Sequence, residues 1–444
     1  MRGQITSGRC SLVLLLIKVL VTMKLVVKNL EQLVQVCDAG QQFKAGKDQN
    51  DVAAMCRRAD GCGCFIAVGD NGLVHSVGFD DQLVDYGCEV IDGAGCSLIP
   101  GLVDSHTHPV WTGDRLFEFE LKMSGATYLD IHKRGGGIYF TVDQTKASSE
   151  KQLLDLFLDR LDMFMSHGTT LVEAKTGYGL DFETEHKMLR VIRSAQESHA
   201  IEIVTNLLAA HAVPKGFTSE EGVREVIDIM NRLHVCQDIP KIDFVDVFCE
   251  KGVYDVSQSR DILLAGRKLL SADIAFHGDE LSCSSSAEMA ADIGAASISH
   301  CEFISKEGVA AITGSKTVAI VCPTTAFLLR LDPPPVRDMI EAGAIIAVAS
   351  DFNPNAYCFS LVYAMQIAVI HCRLSLKEAL VATTINAAFA LKRSQSHGSL
   401  EPGKTGDMLL IRSADWRNLI YQMGQSRDLI RAVIKKGTVV HRNM

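Results

Sequence analysis

The chain has 444 residues, of which 47% are apolar and 22% are charged. This composition is typical of a globular protein and excludes long disordered or fibrous segments. Acidic residues outnumber basic residues by 53 to 44, which gives a formal net charge of −9 with the histidines neutral. Because binding many phosphates requires a large basic face, we expect no nucleic-acid partner.

We interpret residues 1–22 as an N-terminal extension. Its apolar stretch, from Ser11 to Met23, is interrupted by Lys18 and is shorter than the roughly 20 residues that span a bilayer as a helix. A targeting or anchoring segment stays open as an alternative, because two arginines precede the stretch. The 14 cysteines are scattered through the chain, a usage typical of reduced thiols, so we expect a cytoplasmic protein without a membrane partner.

Short apolar runs and turns characterise residues 23–99, where Asp70, Asn71 and Gly72 predict a hairpin turn. Residues 392–444 show the same pattern of short apolar runs, with predicted β-strands around a glycine–lysine turn. The two ends of the chain are therefore predicted to form one small composite β-sandwich.

Residues 100–391 alternate short apolar runs with amphipathic helical stretches, which predicts repeated β/α units on a parallel sheet. Eight such units are the expected content of an α/β fold of the (β/α)8 TIM-like barrel type, whose active site forms at the carboxyl ends of the strands. The eight apolar runs are SLIPGLVD, TTLVEAK, EIVTNLLAA, DFVDVFCE, DIAFHGD, ASISHC, TVAIVCP and AIIAVASD.

Ionisable residues end most of these runs. His106 and His108 end the first, and because residues i and i+2 of a strand face the same side, both imidazoles are able to bind one cation. The runs that follow end at His211, Glu250, His277, His300 and Asp351.

A metal centre is the chemistry that this pattern favours. Three nitrogen donors and one oxygen donor suit a single zinc or iron ion, divalent or trivalent, and leave room for a water molecule. The predicted ligands are His106, His108, His277 and Asp351.

Longer strings extend the pattern, among them GLVDSHTHPVWTGDR, GTTLVEAKTGYGL, AAHAVPKG, FHGDEL, ISHCE and SDFNPNAYCFS. Together they resemble the amidohydrolase superfamily of metallo-dependent hydrolases and, within it, the imidazolonepropionase family of L-histidine degradation. The resemblance covers nearly everything after Met23. It implies a small-molecule substrate, 4-imidazolone-5-propionate, whose cyclic amide is cleaved by water to give N-formimino-L-glutamate.

The resemblance also implies roles for individual residues. His300 and Glu280 are the candidates for activating water and protonating the ring nitrogen, in an order left open, and Asp351 assists. Arg115 is expected to bind the propionate carboxylate. The remaining substrate-binding candidates are Tyr128, Tyr178, His211 and Asn353.

One local departure concerns substrate affinity. Bacterial members of the family tend to have Gly and then Ser or Thr where this chain has Asn355 and Ala356. Because alanine cannot replace a side-chain hydrogen bond, we expect a raised KM with intact chemistry.

Several alternatives stay open on the sequence. A related deaminase would use a similar centre, although Arg115 and the KTGYGL segment favour a substrate with a carboxylate. A binuclear hydrolase with a carboxylated lysine is disfavoured because the fourth run ends in Cys249 and Glu250. A metal-free scaffold protein usually loses ligands that this chain keeps. The choice between zinc and iron is open, and a homodimer is expected only because such barrels commonly form one.

Overall fold

The computed structural model describes residues 22–84, 87–125 and 136–443. The strands in these residues are β1 Met23–Leu30, β2 Gln32–Val36, β3 Ala53–Cys56, β4 Cys64–Gly69, β5 Val74–Phe79, β6 Glu89–Asp92, β7 Ser97–Pro100, β8 Leu102–Asp104, β9 Thr169–Lys175, β10 Glu202–Ala210, β11 Phe244–Cys249, β12 Asp273–Gly278, β13 Ser297–His300, β14 Val318–Val321, β15 Ile346–Val348, β16 Met408–Ile411, β17 Ile430–Lys435 and β18 Thr438–Arg442.

The α-helices of the same residues are α1 Leu116–Met123, α2 Ile138–Ala147, α3 Glu150–Ser166, α4 Phe182–Ser198, α5 Ser219–Leu233, α6 Val256–Leu270, α7 Ser286–Asp292, α8 Lys306–Ser315, α9 Pro323–Leu329, α10 Val336–Glu341, α11 Leu361–His371, α12 Leu376–Ala382, α13 Ile385–Ala390, α14 Asn418–Tyr421 and α15 Ser426–Leu429. Short 3-10 helices lie at Gly46–Asn50 and Asp80–Gln82. Within the described part of the chain, no helix is long and apolar enough to cross a membrane.

Strands β8 to β15 form one eight-stranded parallel sheet in sequential order. Its ends meet beyond the last strands, where the Asp351 amide donates to the His106 carbonyl at 3.1 Å and the His108 amide donates to the Phe352 carbonyl at 2.8 Å. The carboxyl ends of the first and eighth strands are therefore joined, and the predicted (β/α)8 barrel is confirmed. Continuous apolar runs form these strands because helices cover the outside of the barrel and side chains fill its interior.

The helices begin where the sequence provides caps. The side chains of Asp181, Thr218 and Asp255 each accept a hydrogen bond from the third residue beyond them, at the starts of α4, α5 and α6. Such caps satisfy amide groups that have no partner inside the helix. Each of these helices then packs an apolar face on the barrel, so the loops that precede them at the carboxyl ends of the strands are held firmly in place.

Two further sheets lie outside the barrel. One has the order β5-β4-β1-β6, and the other, β18-β17-β16-β7-β2-β3, combines strands from both chain ends. Side chains of the two sheets, including Ile66 and Leu410, share one buried cluster. The composite β-sandwich is thus confirmed, and the predicted turn at Asp70 joins β4 to β5 as an antiparallel hairpin.

The first apolar run, SLIPGLVD, was expected to be one barrel strand, and this expectation is wrong. It forms two strands, since β7 pairs with β16 in the six-stranded sheet and β8 opens the barrel. Gly101 separates them, and a Cβ atom built there would lie 2.3 Å from Thr170 Oγ1. Glycine is needed because the chain passes directly against β9 as it moves from one sheet to the other.

Candidate metal centre

One cavity lies at the carboxyl ends of the barrel strands, where the sequence places its candidate residues. Phe248, Thr325 and Asn355 also contribute to its wall. His106 lies beneath, wholly buried, and Tyr128 lies outside the described residues. The predicted residues that line the cavity are His108, Arg115, Tyr178, His211, His277, Glu280, His300, Asp351 and Asn353.

Three imidazoles converge at the base of the cavity. One ring nitrogen from each of His106, His108 and His277 lies within 4.8 Å of the other two, and the Nε2 atoms of His108 and His277 are 3.2 Å apart. His106 hydrogen-bonds to Ser299 Oγ through Nδ1 at 2.8 Å, which leaves Nε2 facing the cluster. A separation of 3.2 Å suits either one bridging proton or a cation bound by both nitrogens, and the third imidazole beside them favours the cation.

Asp351 completes the group from the end of β15. Its Oδ1 lies 3.5 Å from the Nε2 atoms of both His106 and His108, and its Oδ2 accepts a hydrogen bond from Thr325 Oγ1 at 2.5 Å. His106 Nε2 and Asp351 Oδ1 are buried without a hydrogen-bond partner in the described structure. Because buried polar atoms without partners are costly, their orientation toward one point fits a bound metal ion.

The protonation states suit the same purpose. Burial, followed by the charges of neighbouring groups, lowers the pKa of His106 and of His108 well below the ordinary range for histidine. Both rings are neutral near pH 7, so each offers a nitrogen lone pair to a cation.

A buried ion cluster lies directly behind His277. Asp246 Oδ1 is 2.9 Å from His277 Nδ1, while Asp246 Oδ2 accepts a hydrogen bond from Lys175 Nζ at 2.7 Å. Lys175 also donates to Glu173 Oε1 at 2.9 Å. Burial alone would raise the pKa of Asp246, but the facing His277 and Lys175 outweigh burial and lower it to about 2. The ionised carboxylate orients the imidazole and directs its Nε2 to the centre.

This ion cluster was missed by the sequence analysis. The signal available was a charged residue in the middle of an apolar strand, as with Glu173 and Lys175 in TTLVEAK and Asp246 in DFVDVFCE. Charged residues are almost never fully buried unless they are paired. The lysine is held by two carboxylates, and it belongs to β9 instead of the fourth barrel strand where the binuclear alternative would need it.

His300 and Glu280 lie next to each other in the cavity lining, with 3.6 Å between His300 Nε2 and Glu280 Oε2. Burial lowers the pKa of His300 to about 3. Burial also raises the pKa of Glu280 well above its ordinary value, and the carboxylates of Glu302 and Asp351 raise it further. The lowered pKa leaves the His300 imidazole neutral near pH 7, and the raised pKa of Glu280 favours its protonated form.

Tyr178 and His211 also line the cavity, next to His108. The His211 ring stacks on His108 with 5.0 Å between ring centroids, and its Nδ1 lies 3.1 Å from the Gly177 carbonyl. The wholly buried Glu185 carboxylate holds the loop that carries Tyr178, because it accepts hydrogen bonds from the amides of Gly177, Gly179 and Leu180 at 2.8–3.2 Å. Glu185 is a further residue that the sequence analysis did not identify.

Arg115 enters the cavity from the loop after β8. Its guanidinium lies 2.5 Å from Glu118 Oε2, and Glu118 Oε1 accepts a hydrogen bond from the Gly137 amide at 2.6 Å. Nearby, Lys122 donates to the side-chain oxygen of Asn355. Two cations and one carboxylate leave this end of the cavity with an excess of positive charge, which suits an anionic group on a ligand.

Asn353 serves mainly to shape its own loop. Its side-chain amide Nδ2 donates to the Asp351 carbonyl at 2.8 Å, and its Oδ1 accepts hydrogen bonds from the backbone amides of Asn355 and Ala356 at 2.7 and 2.9 Å. Ala356 is wholly buried and offers no polar side-chain atom, whereas Asn355 lines the cavity.

Glu250, which the sequence places at the end of the fourth barrel strand, stabilises a neighbouring loop. Its carboxylate accepts hydrogen bonds from the amides of Leu281 and Lys251 at 2.9 Å and from the Ser282 hydroxyl. These contacts fasten the residues that follow Glu280, so Glu250 supports the orientation of Glu280.

Comparison with known proteins agrees with the fold. Residues 284–441 match a family model described as "Amidohydrolase family". The chain is 47% identical over 432 residues to a "Probable imidazolonepropionase" of Danio rerio, covering 95% of this chain and 97% of that protein. It is 44% identical to the "Probable imidazolonepropionase" of Homo sapiens, covering 94% and 98% of the two chains.

Solved structures share the architecture at low sequence identity. A triazine hydrolase variant superposes with a TM-score of 0.69 at 14% identity, covering 94% of this chain and 95% of that chain. The 5-methylcytosine deaminase of Klebsiella pneumoniae superposes with a TM-score of 0.67 at 15% identity, covering 93% and 98%. At these identities the likeness concerns the fold alone.

Proposed function

The chain belongs to the imidazolonepropionase family of amidohydrolases, and we propose that it hydrolyses the cyclic amide of 4-imidazolone-5-propionate to N-formimino-L-glutamate. One observation carries this proposal above the others. Three imidazoles and a carboxylate converge at the base of a cavity whose other end has an excess of positive charge from Arg115 and Lys122 over Glu118. A metal-dependent hydrolase of a small anionic cyclic amide needs both features.

In this proposal His106, His108, His277 and Asp351 hold a zinc or iron ion. Such an ion supplies Lewis-acid polarisation of the amide carbonyl and makes a water molecule more acidic. The protein keeps His277 in the required orientation through Asp246, whose carboxylate lies 2.9 Å from the imidazole Nδ1. Stable orientation of the donors matters because their lone pairs must point at one position.

The protein's own side chains move the protons. His300 is neutral near pH 7, so it is able to accept a proton from the attacking water at a ring nitrogen. The raised pKa of Glu280 favours its protonated form, which is able to give a proton to the ring nitrogen that departs when the amide bond breaks. We assign His300 as the base and Glu280 as the acid, and their 3.6 Å separation is short enough for both to act on one scissile bond.

Substrate orientation follows from the charge distribution in the cavity. Arg115 binds the propionate carboxylate, and Glu118 holds the guanidinium in place at 2.5 Å. Tyr178 and His211, with 5.2 Å between their ring centroids, enclose the imidazolone ring from the side and supply hydrogen-bonding groups. Tyr128 and Asn353 are further proposed substrate-binding residues. Asn353 contributes through the loop that it shapes.

A direct assay tests the proposal. The substrate is generated in place by enzymatic hydration of urocanate, and its ultraviolet absorbance is followed after adding the full-length protein. We expect the absorbance to fall as N-formimino-L-glutamate accumulates, with no ammonia released at that step. Ammonia release from guanine or a methylated cytosine, without turnover of the imidazolone, would contradict the proposal and favour a deaminase.

We further propose a cytoplasmic homodimer that contains one zinc or iron ion for each chain. Support comes from the reduced cysteines expected of the sequence and from the frequency of twofold assemblies among enzymes. Metal analysis of the purified protein, sedimentation velocity and cell fractionation test the three parts separately. A monomer, a metal-free protein or recovery in a carbonate-washed membrane pellet would each contradict the corresponding part.

A further inference from the structure

The positive end of the cavity contains one cation that lacks an acidic partner. Arg115 is already paired, because its guanidinium lies 2.5 Å from Oε2 of Glu118, whose side chain is only 1% exposed. The other Glu118 oxygen accepts a hydrogen bond from the Gly137 amide at 2.6 Å. Among the residues that the structure describes, Lys122 forms no salt bridge, and its hydrogen bond goes to the neutral side chain of Asn355. The pair of Arg115 and Glu118 has no net charge, so the excess positive charge comes from Lys122.

Helix α1 places these charged side chains on one face. Arg115 immediately precedes the helix, which begins at Leu116, and Glu118 and Lys122 follow Arg115 by three and seven residues. Such spacings bring side chains to the same side of a helix. Asn355, which accepts the hydrogen bond from Lys122, is part of the cavity wall. Lys122 therefore reaches the edge of the cavity that contains Arg115.

The Lys122 ammonium is held in place but still has capacity to bind a ligand. The backbone amide of Asn355 donates to Asn353 Oδ1 at 2.7 Å, which fixes the residue that holds the lysine. An ammonium group has three donors, and one is used in the described structure. Burial and, next, the charge of Arg115 lower the pKa of Lys122 to about 8. A bound anion would compensate the two cations that repel each other here.

We propose that Lys122 is a second carboxylate-binding cation of the cavity, acting beside Arg115, and that it restricts the site to ligands with an anionic tail. A carboxylate has two oxygens and is able to accept hydrogen bonds from a guanidinium and an ammonium together. A ligand with an uncharged tail would leave the half-buried ammonium uncompensated, which disfavours its binding. Asn355 is a positioning residue for Lys122. The inference rests on the proposed function in taking the propionate as the group that is bound.

Two imidazoles that differ only in their tails test this role. The ligands are imidazole-4-propionate and 4-propylimidazole, titrated calorimetrically into the full-length protein loaded with zinc. We expect Lys122→Met to weaken binding of the propionate roughly tenfold and to leave binding of the propyl compound unchanged. Lys122→Arg should retain most of the preference, and so should Lys151→Met, which removes a surface lysine paired with Asp155 at 2.6 Å. If Lys122→Met weakens both ligands equally, or neither, the inference is overturned.

A pH series on the unsubstituted protein keeps the inference testable if Lys122→Met does not fold. The ratio of the two affinities cancels the titration of the imidazole that both ligands share. Of the groups that face Lys122, Arg115 and Glu118 are paired with each other, and Asn355 does not titrate. The preference for the propionate should therefore fall as the pH rises through the lysine pKa of about 8, because the ammonium loses its charge. A preference that stays constant through this range would also overturn the inference.

The outcomes for Lys122 and for the proposed function are distinguishable, because ligand binding is measured without turnover. Turnover of the imidazolone with an unchanged ligand preference in Lys122→Met would reject the role of Lys122 and leave the proposed function standing. A preference that depends on Lys122, found in a protein that does not turn over the imidazolone, would support the carboxylate site and contradict the proposed reaction.

Discussion

Replacing Lys175 with methionine tests whether the buried ion cluster controls the metal centre. The lysine Nζ lies 2.9 Å from Glu173 Oε1 and 2.7 Å from Asp246 Oδ2, and each of the three side chains is at most 1% exposed. Methionine fills a similar volume but leaves two buried carboxylates without their cation. Loss of one partner from a buried pair costs about 3–5 kcal/mol, so we expect the free energy of unfolding to fall by about that amount.

The same substitution should weaken metal binding, because Asp246 then loses one of the two groups that lower its pKa beside His277. Loss of a group that orients a metal ligand typically lowers affinity roughly ten- to a hundredfold. Urea denaturation followed by circular dichroism gives the free energy of unfolding, and competition with a chromophoric chelator gives the metal affinity.

A matched control separates the two effects. Lys404 is also buried beside a carboxylate, with 3.1 Å between its Nζ and Glu401 Oε2, but it contacts none of the candidate metal ligands. Lys404→Met should reduce the free energy of unfolding and leave metal affinity unchanged. If Lys175→Met loses no more metal affinity than Lys404→Met, the positioning role assigned to the ion cluster is refuted.

Three further predictions concern the reaction. Arg115→Gln should raise KM roughly ten- to a hundredfold with little change in kcat, as expected for a charged hydrogen bond worth about 1.5–3 kcal/mol. The control is Arg193→Gln, because Arg193 pairs with Glu197 at 3.1 Å and does not line the cavity. An unchanged KM in Arg115→Gln would contradict the carboxylate contact. Glu280→Gln should lower kcat by roughly two to four orders of magnitude. Because burial raises the pKa of Glu280, the proton donor is lost only as pH rises through that raised pKa, and kcat should therefore fall on the alkaline side of its pH profile. If the same alkaline fall in kcat persists in Glu280→Gln, the assignment of Glu280 as the acid is rejected. Ala356→Ser should lower KM, which steady-state kinetics measure. An unchanged KM would contradict the expectation that the missing hydroxyl at this position weakens substrate binding.

Much of the fold was predictable because local patterns determine it. Continuous apolar runs mark strands buried on both faces, and β9 and β10 follow TTLVEAK and EIVTNLLAA residue for residue. The exception, SLIPGLVD, depends on the close approach of Gly101 to Thr170, a contact between residues far apart in the sequence. No local pattern contains such information.

The candidate site was predictable where it follows strand ends and unpredictable where it depends on long-range contacts. The candidate metal ligands come from positions that the barrel topology brings together. The partner of Lys175, by contrast, is 71 residues away at Asp246, and the loop held by Glu185 depends on how KTGYGL folds.

Metal-dependent turnover tests the central claim most directly. The full-length protein would be stripped with a chelator, titrated with zinc or iron(II), and assayed at each step for loss of 4-imidazolone-5-propionate. We predict no turnover in the stripped protein and full recovery at one equivalent of metal for each chain, with no recovery in a variant that lacks His106 and His108. Turnover that survives metal removal, or one bound equivalent without turnover, would contradict the account.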